Sequence, residues 1–262
     1  MFNGYRSPVI RDAQRWLAVV GIPLDATVGT LSAQLLGPDG KPRRSLPFDV
    51  AAKQYAEQRL TVKDQRKVEP NAEDLARIDR EKLRTDRALG TWSTDFMPPW
   101  RMPAPVPGER SSSFGLRRFF NGLPRNPHSG MDIAAPTGTP IHSPAPGRVV
   151  EAGDFFFNGN TVFVDHGHGV VTLYCHLSRI DVQPGHGVVT GQHPGVGASA
   201  ADHEHDEGHD QPRLDPSVGQ PTGDDQRERE VDERHQHRHP DPAQQRRLPA
   251  ALVQADGRGD HD

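Results

Sequence analysis

The chain has 262 residues, of which 33% are apolar and 25% charged, with 26 Gly, 25 Pro and a formal net charge of −4. That length accommodates one or two domains with hydrophobic cores, but so polar a composition predicts that part of the chain is unstructured. The small negative charge gives no ground for a nucleic-acid partner, and the single cysteine, Cys175, excludes an internal disulfide. No run of 18 apolar residues occurs, so no helical membrane span is predicted. The opening MFNGYRSPVI has no basic segment followed by an apolar core, so no export signal is read there.

Residues 1–62 read as short strands with turn punctuation: Trp16-Leu-Ala-Val-Val20 and Leu46-Pro-Phe-Asp-Val50 flank the turn word Gly37-Pro-Asp-Gly40. Gln58-Arg-Leu-Thr-Val62 alternates and is expected to close the same sheet, giving a small β-sandwich-like module. Asn71 to Leu89 carries helix signals instead: Asn71 as N-cap, Glu73 and Asp74 in the first turn, Gly90 as the stop. Leu75, Ile78, Leu83 and Leu89 fall on one side of this linker helix. Met97 to Pro107 then forms a proline-stiffened connection, so residues 63–110 read as a linker.

From residue 111 to 192, strand runs recur between Gly and Pro: Gly147–Glu151, Asn160–Asp165 and Val170–His176. This spacing predicts an antiparallel β domain. The whole chain is therefore read as mainly β, with a disordered C-terminal tail. Residues 193–262 contain no Phe, Trp, Tyr, Ile, Met, Cys, Lys or Asn, yet hold eight of the 14 histidines. Such a segment buries too little apolar area to offset chain entropy, so disorder is expected. Its composition is also what an out-of-frame reading of a GC-rich gene produces.

Two words carry chemistry. In Pro127-His-Ser-Gly-Met-Asp132 an imidazole and a carboxylate stand four residues apart, where a loop enters a strand. Nitrogen plus oxygen donors suit Zn²⁺, although His-x-x-x-Asp alone is common. In Leu173-Tyr-Cys-His-Leu-Ser178, strict alternation would place Thr172, Tyr174 and His176 on one strand face and Cys175 on the other. Cys175 reads as a small core residue. His142, His166, His168 and His186 read as structural histidines of turns and strand ends.

Order and spacing add to these words. Phe114-Gly-Leu-Arg-Arg118, Asn121-Gly, His128-Ser-Gly-Met-Asp-Ile133, Ala135-Pro-Thr-Gly-Thr-Pro140 and Ala145-Pro-Gly-Arg-Val149 follow one another. Gly159-Asn160, Val164-Asp-His-Gly-His-Gly169, Tyr174-Cys-His-Leu-Ser178 and Val188-Val-Thr-Gly-Gln192 complete the series. This series resembles the lysostaphin-type zinc peptidases across residues 111–192. The resemblance implies a Zn²⁺ cofactor held by His128 and Asp132, His176 as a catalytic histidine, and a peptidoglycan peptide as substrate. It also implies a periplasmic or cell-envelope location. Asn121 receives no role.

The family continues with a Gly-rich strand and a Gly-Pro-His-x-His word, whose second histidine is the third zinc ligand. No such word occurs between Gln192 and Asp262. The resemblance therefore implies a zinc endopeptidase impaired in this copy. His203, His205 and His209 are the rival source of a third ligand. A metal-free relative that binds envelope partners through the same β fold is the alternative function, and zinc content separates the two.

Overall fold

The computed structural model describes residues 1–197 apart from Ala13 and Trp100. The tail from residue 198 onward, with its predicted disorder, lies outside the described residues.

Two hairpins open the chain: β1 (Val9–Asp12) with β2 (Arg15–Ala18), and β3 (Gly29–Leu36) with β4 (Pro42–Val50). The Gly37–Gly40 word makes the second turn, closed by Gly37 N–H to the Lys41 carbonyl at 2.8 Å. Phe2 packs on Phe48 with ring centroids 5.4 Å apart and anchors the start of the chain.

The next strand, β5 (Glu57–Leu60), corrects the expectation that it closes this sheet. It pairs in parallel with β7 (Arg117–Phe120), in register Gln58↔Arg118, beyond α1 (Gln65–Val68), α2 (Ala72–Leu89) and β6 (Glu109–Ser112). A parallel pair needs a long crossover, and the helices and proline-rich connection supply it. Asn121, at φ +50°, extends the pairing: its side chain accepts from Val62 N–H at 2.8 Å and donates to the Val62 carbonyl at 3.0 Å. β8 (Leu123–Pro124) flanks β7, and β9 (Asp132–Ala134) pairs with β6.

The main sheet is antiparallel. It comprises β10 (Pro140–Ile141), β11 (Gly147–Phe155), β12 (Gly159–Asp165), β13 (Val171–Ile180), β14 (Gly187–Val188) and β15 (Gly195–Gly197), in the order β10-β15-β13-β12-β11-β14. The sheet thus extends past Gln192, because β15 inserts between β10 and β13. Val162 and Val164 of β12 join a core with Val106, Ile141, Val149, Tyr174 and Leu177, whereas Phe163 packs with Phe155 and Ala88 of α2. A strand covered on both faces needs an unbroken apolar run, and Val162-Phe-Val164 is one.

Helix α2 starts as expected, with a capping box between Asn71 and Asp74. Its buried face only partly follows the predicted stripe: Leu89 packs against Phe155 and Phe163, but two of the leucines do not. Leu75 and Leu83 are 51% and 65% exposed, while Glu81 is 9% exposed. Glu81 accepts the backbone N–H of Phe156 at 2.6 Å and Arg77 Nε at 2.5 Å. Arg84 lies over the Phe155 ring at 4.5 Å and forks onto the Glu151 carboxylate at 2.8 and 3.2 Å. Hydrogen bonding to Arg84 holds Glu151 below the usual carboxylate range, against the opposing effect of burial. The connection after α2 is equally engaged. The Ser93 carbonyl accepts from His168 N–H at 2.7 Å, and a Cβ on Gly167 (φ +88°) would sit 2.0 Å from the Phe96 carbonyl oxygen.

His166 is fully buried; its Nδ1 lies 2.7 Å from the Pro146 carbonyl and its Nε2 2.8 Å from the Thr172 hydroxyl. Burial pushes its pKa below the ordinary histidine value, partly offset by the Pro146 hydrogen bond and the Asp165 charge. The unfolded chain therefore takes up this proton first as pH falls through about 6.5, so the contribution is present above that pH and lost below it. Urea midpoints should fall between pH 7.5 and 5.5, and by less in His166→Gln. An equal fall in the two proteins would exclude His166 as the source.

Candidate metal centre

The β6–β9 register sets Ser112 opposite Asp132, the first residue of β9. The backbone of His128 is clamped across the Gly115–Leu116 turn: its N–H donates to the Leu116 carbonyl at 2.9 Å, and its carbonyl accepts from Gly115 N–H at 2.7 Å. With both backbones held, His128 Nε2 and Asp132 Oδ1 stand 3.2 Å apart. The loop between them contains no helical turn.

The other ring nitrogen defines the tautomer. His128 Nδ1 is 3.1 Å from the Ser113 carbonyl and 2.9 Å from the Ser112 hydroxyl. A carbonyl only accepts, so Nδ1 carries a proton, and Nε2 is the nitrogen that faces the carboxylate. Burial pushes the Asp132 carboxyl up. The His128 hydrogen bond and charge, with Arg118 and Ser112, more than offset this, so it titrates below its ordinary range.

This geometry fits a tetrahedral metal. Two donors at about 2.0–2.1 Å from zinc are about 3.3 Å apart, which the observed separation matches. Among the described residues no group of three or more His, Cys, Asp or Glu side chains forms a metal cluster. His128 and Asp132 would supply two corners of such a site. His203, His205 and His209 lie outside the described residues.

His176 departs from the predicted alternation. A bulge interrupts the β12–β13 register between Asn160↔Leu177 and Val162↔Tyr174, and His176 sits in it at φ +56°. Tyr174 consequently shares the core with Leu177, rather than sharing a face with His176. The extra residue of a bulge resets the period-two rule. The His176 backbone N–H donates to the Asn158 carbonyl at 2.8 Å, and its Nδ1 lies 3.9 Å from where a Gly159 Cβ would be. Its neighbour Cys175 is a protonated thiol: burial pushes it up to about 12, and the Asp132 charge adds to the rise.

Sequence reading missed Ser112 and Arg118. Arg118 Nη2 donates to Asp132 Oδ2 at 2.9 Å and approaches the Ser112 hydroxyl at 3.4 Å. No spacing signal reveals these contacts, because strand register creates them.

Comparison with known proteins agrees with this architecture. Residues 126–212 match the model of peptidase family M23, and residues 1–53 that of the M23 N-terminal domain. A crystal structure from Pseudomonas aeruginosa assigned to peptidase M23 is 37% identical, with a TM-score of 0.61, over 76% of this chain and 75% of that one. The chain belongs to peptidase family M23. It is also 38% identical over 97 residues to the peptidoglycan DD-endopeptidase ShyA of Vibrio cholerae, covering 37% of this chain and 23% of that protein. A Buchnera aphidicola protein described as an uncharacterized metalloprotease is 38% identical over 76 residues, 29% of this chain and 20% of that one. The aligned segment thus spans less than a quarter of the length of these curated relatives.

Proposed function

We propose that this protein is a zinc-dependent endopeptidase of the cell envelope that acts on the peptide cross-links of peptidoglycan. The observation that carries the reading is His128 Nε2 held 3.2 Å from Asp132 Oδ1, the separation of two donors on one tetrahedral zinc. Similarity to a peptidoglycan DD-endopeptidase supports the substrate class. Among the described residues no helix is long and apolar enough to cross a membrane.

His128 and Asp132 would hold the zinc. Bound there, it would supply Lewis-acid polarisation of a scissile carbonyl and activation of water. His176 would take up a proton from the attacking water and return it to the leaving amine. The Ser112, Ser113 and Arg118 contacts keep the two ligand side chains in place while this happens. The proposed organisation is an N-terminal β module over 1–62, a linker over 63–110 that docks on the sheet through α2, and a peptidase domain from 111. The domain edge drawn at Gln192 moves to at least Gly197, because β15 belongs to its sheet.

Zinc content tests the reading. Purified full-length protein supplied with Zn²⁺ should bind one equivalent that is lost in both His128→Ala and Asp132→Ala and retained in His176→Ala. The difference between variants separates this ion from any held by the histidines of residues 198–262. Zinc content indifferent to His128 and Asp132 would sink the proposal and favour the metal-free interaction protein.

A further inference from the structure

Arg118 joins three elements at the rim of the His128–Asp132 pair. Its Nε donates to Gln58 Oε1 of β5 at 3.0 Å, and its side chain is 21% exposed. Its Nη2 reaches Asp132 Oδ2 at 2.9 Å and the Ser112 hydroxyl at 3.4 Å. That hydroxyl is itself 2.9 Å from His128 Nδ1. One guanidinium therefore braces the outer side of both candidate ligands, and strand β5 braces the guanidinium in turn.

We propose that Arg118 is the positioning residue of the metal pair, occupying the distal oxygen of Asp132 so that Oδ1 alone is presented beside His128 Nε2. The proposal rests on the metal reading above. It extends that reading to a residue outside the ligand set and to strand β5.

Two physical effects of Arg118 oppose each other, which makes the claim testable by sign. A fixed positive charge against a ligand carboxylate repels an incoming cation, so charge alone predicts tighter metal binding once Arg118 is removed. Ordering acts the other way. A freed carboxylate has rotamers to lose on binding and can turn its second oxygen inward. Loss of an outer partner of a metal ligand typically weakens affinity about 10–100-fold, and we expect ordering to prevail.

The experiment uses the full-length chain with Co²⁺ and Zn²⁺. Affinity is read by competition with a chelating indicator and geometry by the visible Co²⁺ absorption, each as the difference from the His128→Ala/Asp132→Ala chain. Arg118→Met should weaken binding about 10-fold and alter the Co²⁺ bands. Arg118→Lys keeps the charge but cannot span Asp132, Ser112 and Gln58, so it should also weaken binding. Gln58→Ala leaves the charge untouched and should give a smaller loss in the same direction. This variant keeps the test open if Arg118→Met folds poorly by circular dichroism. Unchanged or tighter binding in folded Arg118→Met, or native affinity in both Arg118→Lys and Gln58→Ala, would overturn the positioning role alone. Absence of any signal dependent on His128 and Asp132 in the unaltered chain would overturn the metal reading, and the role of Arg118 with it.

Discussion

A chain in which the residues beyond Gly197 are replaced by a strand ending in Gly-Pro-His-Leu-His should cleave peptidoglycan at least about 10²-fold faster than the chain as written, because the family resemblance implies that the word's second histidine is a third ligand and its first a second proton-transfer group. The register explains why the graft belongs there. β15 runs antiparallel to β13 with Gly197 opposite Leu177 and Gly195 opposite Ile180, so a continuation of β15 heads toward His176. The bulge at Cys175–His176 lies in that direction. Two protein ligands leave zinc loosely held, and a catalytic site ordinarily has three. The measurement is release of soluble peptides from purified sacculi, alongside zinc retention against a mild chelator. Efficient cleavage by the unaltered chain, abolished by His205→Ala or His209→Ala, would show that its own tail already supplies the ligand.

Glu81→Ala should destabilise the protein by about 1–3 kcal/mol, more than a surface helix substitution, because it leaves a buried backbone donor without its acceptor. The Phe156 N–H loses its acceptor at 2.6 Å, while the partly exposed Arg77 loses one carboxylate at 2.5 Å and keeps Asp154 at 2.8 Å. Glu81→Gln retains an acceptor for Phe156 and should cost less. Leu83→Ala, on the exposed stripe of the same helix, should change stability by no more than about 0.5 kcal/mol. Chemical denaturation of the three variants reads the order directly. A Leu83→Ala loss larger than that of Glu81→Ala would mean that the helix docks through its leucines after all.

The site reading and the helix prediction divide at the same line, between local and non-local physics. What the sequence determined by itself was local. The Gly37–Gly40 turn, the Asn71 cap and Gly90 stop, the runs that became β11, β12 and β13, and the four-residue spacing of His128 and Asp132 all depend on neighbours a few residues away. Backbone dihedral preference and short hydrogen bonds suffice to determine such features.

Tertiary structure decided the rest. Hydrophobic periodicity placed only part of the docking face of α2, since Leu89 packs inward but Leu75 and Leu83 are exposed while Glu81 and Arg84 meet a sheet edge that offers a backbone N–H and a carboxylate. The partner of β5 lay 60 residues away in register, as Gln58 pairs with Arg118. Strict alternation along β13 failed because one extra residue opposite β12 formed a bulge, a property of the pair of strands and of neither alone. Ser112 and Arg118 became neighbours of the metal pair only once β6, β7 and β9 were aligned. Register and docking are settled by whole-surface burial and hydrogen-bond satisfaction between segments distant in the chain, and no window of sequence contains both sides of that balance.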